Sequence, residues 1–150
     1  MNDIKINYGG LIMKKFIVVF LVMLFALPSF GQQIKEDKAK ETVKNILSKI
    51  TIDYGKVDHE NGYYELEYKL LYNGKIISEA EKKVKQAPNV KPGQLLLDFE
   101  KELKSKIKSA SIEYTKFDND DNEWEVKLYL PGIDLDEITV DASTGEIITD

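Results

Sequence analysis

The amino-acid sequence predicts an α+β protein made of two tandem helix-plus-antiparallel-strand repeats, with the strands forming one sheet and the helices packed on one of its faces. Three observations lead there. The chain falls on itself when shifted by 60 positions. Two segments repeat apolar residues at helical spacing. The segments that follow them alternate apolar and polar residues with a period of two.

The shift places Ile52-Asp53-Tyr54-Gly55-Lys56-Val57-Asp58 on Ile112-Glu113-Tyr114-Thr115-Lys116-Phe117-Asp118, and Tyr64-Glu65-Leu66 on Trp124-Glu125-Val126, without a gap. Upstream, Ala39, Val43, Leu47 and Ile50 lie on Phe99, Leu103, Ile107 and Ala110. The first helix is expected where Ala39, Val43, Ile46, Leu47 and Ile50 recur at steps of three and four among Lys and Glu. The second follows Pro92-Gly93 and carries Leu96, Phe99, Leu103, Ile107 and Ala110. Each has one apolar stripe, so each must cover something.

The cover is a sheet. Ile50, Ile52 and Tyr54 alternate with Thr51 and Asp53. Tyr64, Leu66, Tyr68, Leu70 and Tyr72 alternate with Glu65, Glu67 and Lys69, the pattern of a strand with one buried face. Asn73-Gly74 then predicts a hairpin, because both residues tolerate positive φ, and a return strand over Lys75 to Glu81. The second unit repeats this with Ile112 and Tyr114, then Trp124, Val126, Leu128 and Leu130, then Ile138 and Val140. A turn at Ser143-Thr144-Gly145 precedes a last short strand at Glu146 to Thr149. Gln86 to Gly93, with Pro88 and Pro92, reads as the linker, giving repeats over 32–87 and 88–150.

Residues 1–31 differ in kind. Lys14-Lys15, the apolar run Phe16–Leu27, Pro28, and small residues at Ser29 and Gly31 have the layout of a secretory signal peptide cleaved before Gln32. The run of 12 residues is short for a bilayer-spanning helix, which takes about 20; the alternative is a retained anchor. Met13 is the expected true start. With no cysteine after the run, a lipoprotein anchor is excluded. The expected product is periplasmic or secreted, touching a membrane only through the leader.

The whole chain carries 21 basic and 26 acidic residues, and from Gln32 onward 18 lysines, no arginine and 25 carboxylates remain. An acidic chain without arginine is poorly suited to phosphate, so nucleic acid is not an expected partner. The chain has no cysteine, yet from Gln32 it is long enough to bury a core unaided.

The C-terminus carries a family signal. Trp124-Glu125-Val126-Lys127-Leu128-Tyr129, followed by Val140-Asp141-Ala142-Ser143-Thr144-Gly145-Glu146-Ile147, resembles the end of a PepSY domain, which closes with an aromatic-rich strand and a V-D-A-x-T-G-x-V strand and turn. Leader, size and duplication resemble the β-lactamase-inhibitor-like members of the PepSY-like proteins. The specific motif covers Trp124 to Ile148; the first unit lacks the V-D-A-x-T-G ending. The resemblance implies a helix on an antiparallel sheet in an exported module that binds or restrains peptidases or other envelope proteins. The motif also reads physically: Asp141 accepts backbone hydrogens in the turn and Gly145 supplies positive φ.

Catalytic equipment is sparse. The absence of cysteine removes a thiolate nucleophile and a zinc cluster. His59, the one histidine, falls in a predicted hairpin loop, and any Ser-His-Asp triad would need it. No Gly-x-Ser-x-Gly, P-loop or His-Glu-x-x-His occurs. The pairs Glu65/Glu67 and Glu123/Glu125 fall on the expected solvent face, where nothing raises a pKa. Asp118, Asp120 and Asn122 match the first spacings of a calcium loop, but Glu123 stands where glycine is needed and Tyr129 where glutamate is. No cofactor is expected, and these three residues are at most a weak metal site.

The outer sheet face is then the expected contact surface: Tyr63, Leu71 and Tyr129 among Glu65, Glu67, Lys69, Glu125 and Lys127. Aromatics framed by charge suit a protein partner, while ordinary cross-strand pairing gives the same pattern. The expected function is a non-catalytic exported binding module for a periplasmic or extracellular protein. The alternatives are a small-ligand carrier or small exported enzyme, and a calcium-dependent envelope protein using the 118–123 loop.

Overall fold

A computed structural model describes residues 32–150. These form one compact unit with a single hydrophobic core. The expected leader and the start at Met13 lie outside the described residues. Helix α1 spans Glu36–Ile46 and continues into a 3-10 turn at Leu47–Lys49. Glu36 and Asp37 in its first turn and Lys44 in its last complement the helix dipole. Helix α2 spans Pro92–Lys106, with proline at its first position where no intrahelical N–H is needed, and ends in a matching 3-10 turn at Ile107–Ser109.

The strands are β1 (Thr51–Glu60), β2 (Tyr63–Tyr72), β3 (Lys75–Lys85), β4 (Ser111–Asp118), β5 (Glu123–Tyr129), β6 (Asp134–Leu135) and β7 (Ile138–Asp141). They make an α+β fold with two antiparallel sheets, ordered β1-β2-β3-β6 and β4-β5-β7, rather than the one sheet expected. The division has a local cause. The run from Asp134 to Asp141 gives its first residues to β3 and its last to β5, and Asp136-Glu137 between them belong to neither ladder. The C-terminal segment joins the sheets by scattered bonds: the Asp141 N–H donates to the Glu146 carbonyl (2.9 Å), the Ile148 N–H to the Thr139 carbonyl (2.9 Å) and the Asp150 N–H to the Ile76 carbonyl (3.0 Å). The strand expected at Glu146 to Thr149 is accordingly reduced to one bridge, Val140 to Ile147.

Each helix lies on the strands of the other half. Helix α1 packs against β4, β5 and β7, and α2 packs against β1 and β2. The stripes fit these seats: small Ala39 and Val43 on α1, large Phe99 and Leu103 on α2, all buried in the core with Leu66, Leu70, Val126 and Leu128. Tyr68 fixes α2 to its sheet. Its ring lies 5.7 Å from Phe99, and its hydroxyl donates to the Leu96 carbonyl at 3.2 Å. Lys82 of β3 reaches Glu102 of α2 at 2.5 Å, and Lys106 holds the same carboxylate. These two ammonium groups hold Glu102 below the usual carboxylate range.

Turns follow the sequence. Asn61-Gly62 (φ 49° and 82°) and Asn73-Gly74 (φ 53° and 78°) close two-residue hairpins with both residues left-handed. Three expectations fail locally. Parity points Tyr54 and Tyr114 inward, yet both are exposed. Irregularities in register between Asp53 and Lys56, and between Ile112 and Tyr114, reset the alternation. His59 lies not in a loop but on β1, which runs through it to Glu60, and its ring lies 5.5 Å from that of Tyr64 on the next strand. Among the described residues no helix is long and apolar enough to cross a membrane.

Candidate binding face

Both helices share one core with the inner side of the strands, which leaves the opposite side of each sheet as the candidate site. Period two and register set its composition. On the first sheet, Tyr63, Glu65, Glu67 and Lys69 of β2 lie opposite Lys85, Lys83, Glu81 and Glu79 of β3. On their other side are Glu60, Asp58, Lys56 and Asp53 of β1. On the second, Glu123, Glu125 and Lys127 of β5 lie opposite Asp118, Lys116 and Tyr114 of β4. The two sheets are joined on this side by Lys127, whose ammonium is 3.2 Å from Asp134 and 3.9 Å from Glu137.

The surface is an ion-pair lattice in which carboxylates outnumber lysines. Lys83 pairs with Glu65 at 2.9 Å, Lys116 with Glu125 at 3.0 Å, and Lys69 with both Glu67 (3.1 Å) and Glu79. The excess negative charge shows in the titration. Partial burial, then Glu65, Asp136 and Glu67, raise Glu81; burial, then Glu79, raise Asp136. Glu123 is raised by burial and by Asp121 and Asp118, correcting the expectation that nothing perturbs that pair. Tyr114 donates its hydroxyl to Glu137, whose carboxylate pushes the phenol up to about 12.

Tyr63 and Tyr129, 47% and 49% exposed, each line an open hollow. Tyr63 shares one of about 250 Å³ with Glu60, Asn61, Glu65 and Lys83. Tyr129 shares one of about 330 Å³ with Lys127, Ile133 and Asp134. Glu65, Glu67, Glu125 and Lys127 of the same strands are tied into ion pairs. Leu71, expected outside, is buried: it sits opposite Thr51 and Ile76 where β3 carries the extra residue Ile77, and it leaves the candidate surface.

No family model, curated protein or solved structure matches the chain.

For a metal, Glu67, Glu79 and Glu81 bring carboxylate oxygens within 4.8 Å of one another, but the Lys69 ammonium already spans two of them. At the acidic loop, Asp118 Oδ1 accepts the N–H groups of Asp120 (2.9 Å) and Asp121 (3.4 Å). Asn122 donates to Ser143 at 2.7 Å and accepts from Gln33 at 2.6 Å. Asn122 thus builds the junction with the neighbouring turn, while Asp118 caps the backbone of its own loop. Sequence reasoning passed over Glu79, Glu81 and Asp134. The alternation of Glu79, Glu81 and Lys83 carried the signal for the first two; the short β6 carried none for Asp134.

The turn after β7 is built as its residues suggest. Asp141 Oδ1 accepts the N–H groups of Ser143 (2.7 Å) and Thr144 (2.8 Å), and Gly145 has φ 76°. Ala142, wholly buried, receives Ile34 through an N–H to carbonyl bond of 2.7 Å. Those backbone donors hold Asp141 below the usual aspartate value. Its contribution to stability is therefore full above the ordinary value near 3.8 and is lost as pH falls through the lower folded value. Asp141→Ala is expected to cost about 1 kcal/mol at pH 7, because the carboxylate is partly exposed to water. In urea titrations the gap from the parent should narrow as pH falls below the ordinary aspartate value and through the lower folded one; a gap unchanged at acid pH would show that the carboxylate charge is irrelevant.

Proposed function

We propose that the chain is an exported, non-catalytic binding module of PepSY-like character whose polar outer sheet face engages a periplasmic or extracellular protein, as an inhibitor or regulator of a peptidase or other envelope protein. The observation that carries this reading is that two half-exposed tyrosines, Tyr63 and Tyr129, each stand at a hollow on strands whose outward side chains form an ion-pair lattice. Exposed aromatics contribute binding energy at low entropic cost, and the charge lattice selects the partner. The excess of carboxylates favours a partner with a lysine- or arginine-rich surface. The leader-like layout of the sequence from Lys14 to Gly31 supports export. The Val140–Ile147 motif supports the family likeness, and with it the family's suggested restraint of peptidases. His59 is exposed on β1 beside the ring of Tyr64.

The test is capture from envelope extract on immobilised residues 32–150, alongside the Tyr63→Ala/Tyr129→Ala variant. A partner retained by the parent and released at least tenfold more readily by the variant is the expected outcome; losing two aromatic anchors costs roughly 2 kcal/mol or more. Equal retention by both proteins would remove this face from the reading.

A further inference from the structure

We infer that β1 is a pairing edge for a second copy of this chain, in an antiparallel β1–β1 dimer with its two-fold axis at Val57. The inference is independent of the proposed function.

Among the described residues β1 ends its sheet, paired with β2 on one side only. Within it only Ile52 and Val57 are even partly buried. An edge with unpaired N–H and C=O groups is a template for another strand. Hairpin geometry states which groups are free. Asn61-Gly62 is a two-residue turn, so the flanking pair Glu60–Tyr63 is mutually hydrogen-bonded. Alternation then turns the backbone groups of Asp58 and Lys56 toward β2 and those of Val57 and His59 outward.

The side chains in this stretch are self-complementary. With Val57 opposite Val57 of the second copy, Lys56 meets Asp58, Asp58 meets Lys56, and His59 meets Gly55. Both Val57 residues then present outward-facing groups to each other, as a hydrogen-bonded pair requires. The neighbouring two-fold registers place Lys56 opposite Lys56 or Asp58 opposite Asp58, and like charges directly opposite are unfavourable. Lys56 and Asp58 already lie on one side of the strand, 2.5 Å apart, so both can turn to the partner. The irregularity at Tyr54-Gly55 limits the regular stretch to Lys56–Glu60, so the Lys56–Asp58 pairs about Val57 carry the register. A two-fold pairing uses this edge up in both copies, so it closes at a dimer instead of growing into fibres. Tyr54, at 63% the most exposed large apolar side chain among the described residues, flanks the paired stretch. The axis stands perpendicular to the sheet, so the two outer faces would join on the same side.

Sedimentation equilibrium of residues 32–150 over rising concentration tests this, with folding checked by circular dichroism. The parent is expected to reach twice the monomer mass. Lys56→Asp should weaken association about tenfold, and Lys56→Asp/Asp58→Lys should restore it, because two-fold symmetry re-forms both pairs. Val57→Pro removes an N–H that β2 does not use and should abolish association while leaving the fold intact. A parent that stays monomeric at the highest soluble concentration, or a dimer indifferent to Val57→Pro or unrescued by the charge exchange, overturns the inference.

Discussion

Residues 32–87 on their own are expected to remain unfolded. Their strands bury Leu66, Tyr68 and Leu70 in a core completed by Phe99 and Leu103 of α2, a helix outside this segment. Withdrawing that cover returns three large side chains to water at roughly 1.5–3 kcal/mol each. A domain of this size holds only about 5–15 kcal/mol in total, and a fragment below 60 residues is marginal even with its core intact. Helix α1 is no substitute in its native place, because it seats small Ala39 and Val43 on β4, β5 and β7. The fragment should give a disordered far-ultraviolet spectrum and no protected amides.

The second large effect is expected at Gly55. A Cβ there would stand 2.4 Å from Tyr68 Cε1 and 2.7 Å from Cζ. Gly55 has no positive φ, so what the position demands is space. The ring has little freedom to retreat: Tyr68 is 5% exposed, lies against Phe99 and donates to Leu96. Gly55→Ala is expected to cost about 3 kcal/mol, through overpacking or displacement of β1 from β2. Thermal unfolding should shift down by roughly 10 °C. In a Tyr68→Leu background the same change should cost under ~1 kcal/mol, because the partner atoms are gone. Equal cost in both backgrounds would show that the ring is not what excludes a side chain.

Legibility in the sequence followed the range of the interaction concerned. Helices, hairpin turns and the alternation of β2 and β5 are set by neighbours three, four or two residues apart, so periodicity located them. Asp141 and Gly145 act within one turn, and their roles were readable as well. Gly55 was the available sign of an irregular β1, but the reset that exposes Tyr54 depends on register with β2, which a single strand does not display. Leu71 followed the rule of parity and failed for the same kind of reason, an extra residue, Ile77, in the strand opposite. The seating of each helix on the other half's strands is a property of chain crossing, and no local pattern distinguishes it from a helix covering its own strands. On the candidate face, Tyr63 and Tyr129 followed from parity. The link from Lys127 to Asp134 needed a two-residue strand too short to announce itself.

That crossing makes each half depend on the other, so mixing the halves is the most direct measurement. Chains 32–87 and 88–150 would be prepared separately, combined, and followed by circular dichroism and amide exchange. Two disordered spectra should become, at equal stoichiometry, the helix and sheet signal of the intact protein, with Leu66 and Val126 amides protected together. A folded, exchange-protected 32–87 chain in the absence of its complement would contradict the helix exchange.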